Sequence, residues 1–296
     1  MYNETEIQSL TREELEARRK NKNSLLPQTS SDNPLKLHVL ASGSKGNCCA
    51  IESSLTGDFF VIDCGISCKK FLAGIDSCGL YLEKLKGLVV THEHIDHIKG
   101  LGVVYRMLKK HEIEVPLCVN DSVRKASKEL SQLGESVPIR NFDESSQLSF
   151  SGIEVYPFAT HHDTSKSFGF RIESDGDAIG YLTDSGTLDD AIYDALSNVR
   201  ILGIESNHDS HMLEVGPYPY KVKARIASDI GHLSNEQAKQ ALSRLLSNRL
   251  ERVVALHISE SNNTYRLPVN TLQTRLDQES HSARAYCSFQ NRVVSF

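Results

Sequence analysis

No stretch of the sequence is apolar for the roughly 20 residues that a membrane-spanning helix needs, so none is expected and no membrane partner is implied. The first residues, MYNETEIQSL, lack the basic start and apolar run of a secretory signal, which makes a cytoplasmic location the expectation. Cys-x-x-Cys pairs are absent and the cysteine count, seven, is odd. Zinc-ribbon, thioredoxin-type and disulfide-framework classes are therefore disfavoured, and Cys48, Cys49, Cys64, Cys68, Cys78, Cys118 and Cys287 read as small thiols, mostly buried, in a reducing compartment. Basic excess is missing too: 33 Lys and Arg face 38 Asp and Glu, a net charge of −5. That argues against a broadly basic nucleic-acid-binding surface, while a metal site with a local basic rim can still hold a phosphate backbone.

What is present falls into two parts. Residues 1–34 are polar, with one capping-box pattern at Thr11-Arg12-Glu13-Glu14, and read as a tail outside the folded region. From Leu35 to Phe296 the texture is that of one catalytic domain. Short apolar runs (LKLHVL, CAIES, DFFVID, KGLVV, VPLCV, QLSFS, IEVYPFA, FGFRIES, AIGYLT, VRILGIE, RVVALHI) alternate with helical patterns at CKKFLAGIDSC, near His97, from Asp121, at LDDAIYDAL and at NEQAKQALSRLLSN. Such alternation predicts an α/β protein of sheets covered by helices.

The segment Thr91-His92-Glu93-His94-Ile95-Asp96-His97 follows the apolar strand GLVV and packs four metal-ligand types into six positions. Alternate residues of an extended chain point the same way, so His92 and His94 can share one ion. Asp96 and His97 lie where the strand gives way to a helix, and a turn there can aim them at a second ion. Imidazole and carboxylate together suit zinc, manganese or iron. Two ions need further ligands, and these occur directly after later strands: His161, His162 and Asp163 after IEVYPFAT, Asp184 after AIGYLT, and His257 after RVVAL.

Together with Asp63 in VIDCG, this ordered set resembles the metallo-β-lactamase superfamily over residues 35–260. The phrases LHVLASGSKGNCC, THEHIDHIKGLGV, GPYPYKVKARIASDIGHLSN and LHISESNN resemble its YycJ/WalJ-like subgroup of bacterial metallohydrolases. The resemblance implies a four-layered αββα sandwich with two divalent ions, Zn²⁺ or Mn²⁺, at one edge of the sheets. It implies that His92, His94 and His162 hold one ion, that Asp96, His97 and His257 hold the other, and that Asp184 bridges them. Asp63 would orient ligands without binding metal itself. The same resemblance implies a phosphodiesterase acting on DNA, exonucleolytic from a 5′ end and connected with repair. A small-molecule hydrolase of a thioester, lactone or cyclic phosphodiester is the alternative, and a non-catalytic metal-binding module ranks last.

Glu205, ending VRILGIE, and His232, in GHLSNEQA, resemble the pair that assists proton transfer in tRNA 3′-processing endonucleases, with Asp96 as a further catalytic residue. His232 also fits a loop before a helix capped by Ser234 or Asn235. The turn ASGSKGN offers backbone N–H groups with Ser42, Ser44, Lys45 and Asn47 as substrate contacts. Tyr218, Tyr220, Lys221, Lys223 and Arg225 interleave aromatic and basic residues, suited to stacking a base and binding phosphate, or equally to a solvated helix face.

Overall fold

A computed structural model of the chain describes residues 34–296, so the expected tail and its capping-box helix lie outside the described residues, Pro34 excepted. Two seven-stranded sheets form the centre. The first places β1 (Leu35–Ala41), β2 (Cys48–Ser53), β3 (Phe59–Ile62), β4 (Leu85–Val89), β5 (Leu117–Cys118) and β6 (Ile139–Arg140) side by side, with the C-terminal β14 (Val294–Ser295) against β1. The second places β7 (Leu148–Phe150), β8 (Ile153–Ala159), β9 (Phe168–Ser174), β10 (Asp177–Leu182), β11 (Ile201–Glu205), β12 (Arg252–Leu256) and β13 (Arg284–Cys287) in chain order. Pairing is parallel from β3 through β6 and from β10 through β13, and antiparallel elsewhere.

The strand periodicity of two builds the layers. In β12, Val254 and Leu256 join the core between the sheets, whereas Val253 and Ala255 face a second core under helices. β11 divides the same way, with Ile201 inward and Leu202 and Ile204 outward. Strands buried on both faces read as continuous apolar runs, which is how they stood out in the sequence. The outer layer on the second sheet is α6 (Asp190–Leu196), α9 (Asn235–Leu245) and α10 (Arg266–Gln278). α9 buries Ala238, Ala241, Leu242 and Leu245, one face at i, i+3, i+4 and i+7, and starts at a capping box in which Ser234 and Gln237 satisfy each other's backbone N–H. On the first sheet, α1 (Cys68–Ser77) and α3 (Leu101–Lys110) contribute Phe71, Ile75, Val104 and Leu108 to its core. The expected αββα sandwich is the observed architecture.

Four shorter helices connect these layers: α2 (Ile95–Ile98), α4 (Asp121–Ala126), α5 (Lys128–Leu133) and α7 (Ser210–Val215), with α8 (Tyr220–Ile226) exposed along its length. The sequence reading gave no β6, α5, α7, α10, β13 or β14. The strands among them are two to four residues long, below the length at which alternation can be read. α10 is polar enough that only Pro268, Leu272 and Leu276 mark its buried side.

Candidate metal centre

The parallel strands bring one set of ends to a single edge, and the chemistry sits there. Asp63 follows β3, the His92–His97 segment follows β4, and His162 follows β8. Asp184 follows β10, Glu205 ends β11, and His257 follows β12. β4 stops at Val89, so His92 and His94 lie beyond the strand in irregular chain, and His94 keeps extended dihedrals as the N-cap of α2. Asp63, Asp184 and His257 have φ of 58, 56 and 53°, the left-handed region that costs a non-glycine residue on the order of 1 kcal/mol or more. Three such residues at one edge mark a place where side-chain direction outweighs backbone comfort.

Among the described residues the ligand-type groups overlap, and two triads share no residue. His92, His94 and His162 place one donor atom each within 4.8 Å of one another, and so do Asp96, His97 and His257. Asp184 lies between them, with Oδ1 3.7 Å from His162 Nε2 and Oδ2 3.3 Å from His97 Nε2. His162 joins the cluster, while His161 turns away to pair with Asp189 at 2.8 Å. His92 Nε2, His257 Nε2 and Asp184 Oδ2 are buried with no hydrogen-bond partner. Orphaned polar atoms of this kind are costly, on the order of 1–3 kcal/mol each, and divalent cations held by the two triads would satisfy them. The donor set therefore fits a bound divalent metal.

A supporting network fixes the rings. Asp63, fully buried, accepts from the Thr91 backbone (2.8 Å), from the Thr91 hydroxyl (2.8 Å) and from His97 Nδ1 (2.7 Å), which leaves His97 Nε2 toward the cluster. His162 Nδ1 donates to the carbonyl of Gly231 at 3.0 Å. Glu205, also fully buried, uses one oxygen for both His232 Nδ1 (2.9 Å) and His257 Nδ1 (2.8 Å). Its other oxygen accepts from the backbone of Ser185 (3.0 Å) and Leu233 (3.2 Å). Thr91 and Gly231 escaped the sequence reading. Thr91 stood inside the motif without a distinguishing chemistry, and a backbone carbonyl carries no residue signal at all. Gly65 is demanded by packing: a Cβ there would lie 1.5 Å from the Asp96 carbonyl.

The electrostatics follow from burial and crowding. Burial and then the neighbouring His97 and His162 hold His92 well below its ordinary value, in the neutral form that binds metal. For His97, burial opposes the charge but the carboxylates of Asp184 and Asp63 outweigh it, raising the group to about 9. His257 stands well above its usual value because Asp184 and Glu205 overcome its burial. Burial would raise Asp96 and Glu205, yet His257 and His97 hold the first, and His232 and His257 the second, well below the carboxylate range. His232 is partly open, its side chain 19% exposed.

The expected substrate contacts divide. In ASGSKGN the N–H groups of Gly43, Lys45, Gly46 and Asn47 are all consumed internally, so the turn is no backbone cradle for an anion. Ser42 is buried and its hydroxyl accepts the His257 N–H at 2.7 Å, a supporting contact and not one facing substrate. Asn47 is buried beside the cluster, its amide 3.0 Å from His97 Nε2. Ser44 and Lys45 are exposed. Across the edge, α8 buries none of its residues, with Tyr220 84% exposed and Lys221 open; Arg225 pairs with Asp163, next to His162.

Fold and site together define a metal-binding protein of the β-lactamase superfamily: a family model described as the beta-lactamase superfamily domain matches residues 59–258, and the chain belongs to that family. Among its relatives is Exodeoxyribonuclease WalJ of Streptococcus pneumoniae, 33% identical over 82% of this chain and 88% of that protein. Exodeoxyribonuclease YycJ of Bacillus anthracis is 30% identical over 83% of this chain and 90% of its own length. In fold, the chain matches the metallo-beta-lactamase fold protein YhfI from Bacillus subtilis at a TM-score of 0.67, with 16% identity, over 90% of this chain and 100% of that one. The residues that carried the sequence resemblance thus lie in a chain of that superfamily and that subgroup.

Proposed function

We propose that this chain is a dinuclear exodeoxyribonuclease of the cytoplasm, using Zn²⁺ or Mn²⁺, with Leu35–Phe296 acting as one catalytic unit. The observation that carries the reading is the pair of triads sharing Asp184, with His232 and Glu205 beside them. The names of the 30–33% identical relatives supply the choice of DNA. No helix among the described residues is long and apolar enough to cross a membrane.

His92, His94 and His162 would hold one ion, and Asp96, His97 and His257 the other, with Asp184 reaching both. When bound, the two cations supply Lewis acidity toward the phosphoryl oxygens and a hydroxide nucleophile near neutral pH. Asp96, held ionised, accepts a hydrogen bond from the attacking water and so orients it. Glu205 fixes His232 through Nδ1, which leaves Nε2 to give a proton to the departing oxygen. Glu205 also holds His257, so one carboxylate aligns the proton donor with a ligand.

The test is cleavage of end-labelled DNA across Mn²⁺ and Zn²⁺, and across 5′ and 3′ end structures. We expect stepwise loss from a 5′ end and none with His94→Ala or Asp184→Ala. Turnover of a thioester or lactone panel with intact DNA would transfer the assignment to a small-molecule hydrolase.

A further inference from the structure

Four cations from four separate segments meet on one side of the cluster. The β1–β2 turn packs against the segment after β13: Ser42 N–H donates to the Phe289 carbonyl (3.1 Å), Lys45 N–H to Gln290 Oε1 (2.8 Å), and Gln290 Nε2 to the Gly46 carbonyl (2.8 Å). Lys99, at the end of α2, donates its ammonium to the Lys45 carbonyl at 2.6 Å. Lys70, in α1, reaches Asn291 Oδ1 at 2.8 Å. The Arg292 guanidinium lies over the Phe289 ring, 3.5 Å from its centre. All four side chains belong to exposed residues.

Charge is distributed here against the trend of the whole chain. Of these four, Lys45 has a carboxylate partner, Glu260 at 2.6 Å, whereas Lys70, Lys99 and Arg292 have none among the described residues. A chain of net charge −5 thus concentrates positive charge at this place. The present partners of Lys70 and Lys99 are neutral oxygens, and an ionised phosphate oxygen makes the stronger, charge-assisted bond. Arg292 is held flat by its ring, so little freedom remains to be lost when it binds. The place adjoins the metal-ligand cluster: Lys99 follows His97 by two residues, Lys45 precedes Asn47 by two, and Asn47 contacts His97.

We infer that Lys45, Lys70, Lys99 and Arg292 form a rim that binds the sugar-phosphate backbone of the substrate strand beside the scissile bond. The rim rests on the proposed nuclease reading and adds to it the surface by which an acidic protein takes hold of a polyanion. Binding of this kind releases condensed counterions, so affinity falls with salt at about 0.7 log units per log unit of salt for each phosphate contacted on a single strand.

The test is fluorescence anisotropy of the full chain, loaded with Mn²⁺, on a single-stranded phosphorothioate oligonucleotide across a salt series, with a small chromogenic phosphodiester assayed in parallel. The triple variant Lys70→Gln, Lys99→Gln, Arg292→Gln should weaken binding at least about tenfold and flatten the salt slope by about 2 units. The charge-keeping variant Lys70→Arg, Lys99→Arg, Arg292→Lys should restore the slope. Unchanged affinity and slope in the triple variant would overturn the rim while leaving the nuclease reading intact, and so would equal losses in both variants, which would mark a packing effect. A parent protein that hydrolyses the small diester but neither binds nor cuts DNA would instead remove the substrate assignment, and the rim with it.

Discussion

At the scale of single residues, buried carboxylates direct histidines. Glu205 divides one oxygen between His232 and His257, so removing its charge loosens both. Glu205→Gln should lower kcat by about 10²–10³ with little change in KM, within the range that positioned acid–base groups contribute. Steady-state kinetics alongside metal content per chain will check this, since a variant that merely sheds metal reports on His257 alone. Asp63 presents the complementary case, a carboxylate that binds Thr91 twice and His97 once. Asp63→Asn keeps the shape but turns one acceptor into a donor facing His97. Losses of 10–100-fold are usual for the partner that aligns a ligand, and about that loss in metal affinity, read by competition with a chromophoric chelator, is the expected outcome. At this scale the sequence was informative where chemistry is carried by side chains. His92, His94, Asp96, His97, His162, Asp184 and His257 were all legible as strand-end ligand types. The Gly231 carbonyl was not, because every residue has one.

At the scale of elements, the edge of the first sheet carries its own charge pair. His38 in β1 bonds Glu52 of β2 at 2.9 Å and Ser295 of β14 at 2.7 Å, with Lys36 also reaching Glu52 at 3.4 Å. Burial disfavours the His38 charge, but the neighbouring Cys78 and Glu52 outweigh this and raise the group above 6.5. Burial likewise opposes the Glu52 charge, and His38 with Lys36 holds that group below 4.5. A raised histidine contributes stability in full below 6.5 and loses it as pH rises through the raised value. A lowered carboxylate contributes in full above 4.5 and loses it as pH falls through the lowered value. The pair is therefore most stabilising between pH 4.5 and 6.5. A Tm-versus-pH series on His38→Gln should show its largest deficit in that window, narrowing toward alkaline pH; a deficit uniform in pH would point to packing alone. Elements themselves were legible where their burial was two-sided, as in β11 and β12, or strongly one-sided, as in α9. β6 and β14, two residues each, exist only because a neighbouring strand accepts their hydrogen bonds.

At the scale of the molecule, the two sheets are fastened at the β10–β11 connection, where Arg200 precedes β11. It donates to both oxygens of Asp177 at 2.8 and 2.7 Å and to the Leu35 carbonyl at 2.6 Å, while Asp177 accepts the Leu35 N–H at 3.2 Å. Leu35 opens the first sheet and Asp177 opens β10 of the second, so one buried ion pair joins the layers. Arg200→Ala strands a buried carboxylate, and a loss of about 3–5 kcal/mol in urea unfolding is expected. Joint replacement of Arg200 and Asp177 by apolar residues should recover part of that loss, because the stranded charge is then gone.

By itself the sequence determined that metal-ligand residue types stand at strand ends and that the layers are sheets under helices. Both follow from local rules, ligand chemistry within a few positions and periodicities of two and 3.6. Only the tertiary structure decided that His161 pairs with Asp189, that Glu205 serves two rings, and that the ASGSKGN turn spends its N–H groups internally. It alone gathered Lys45, Lys70, Lys99 and Arg292 on one rim. Such facts depend on distant segments, such as Lys45 and Gln290, 245 positions apart, meeting at one sheet edge, and no local pattern encodes a meeting of that kind.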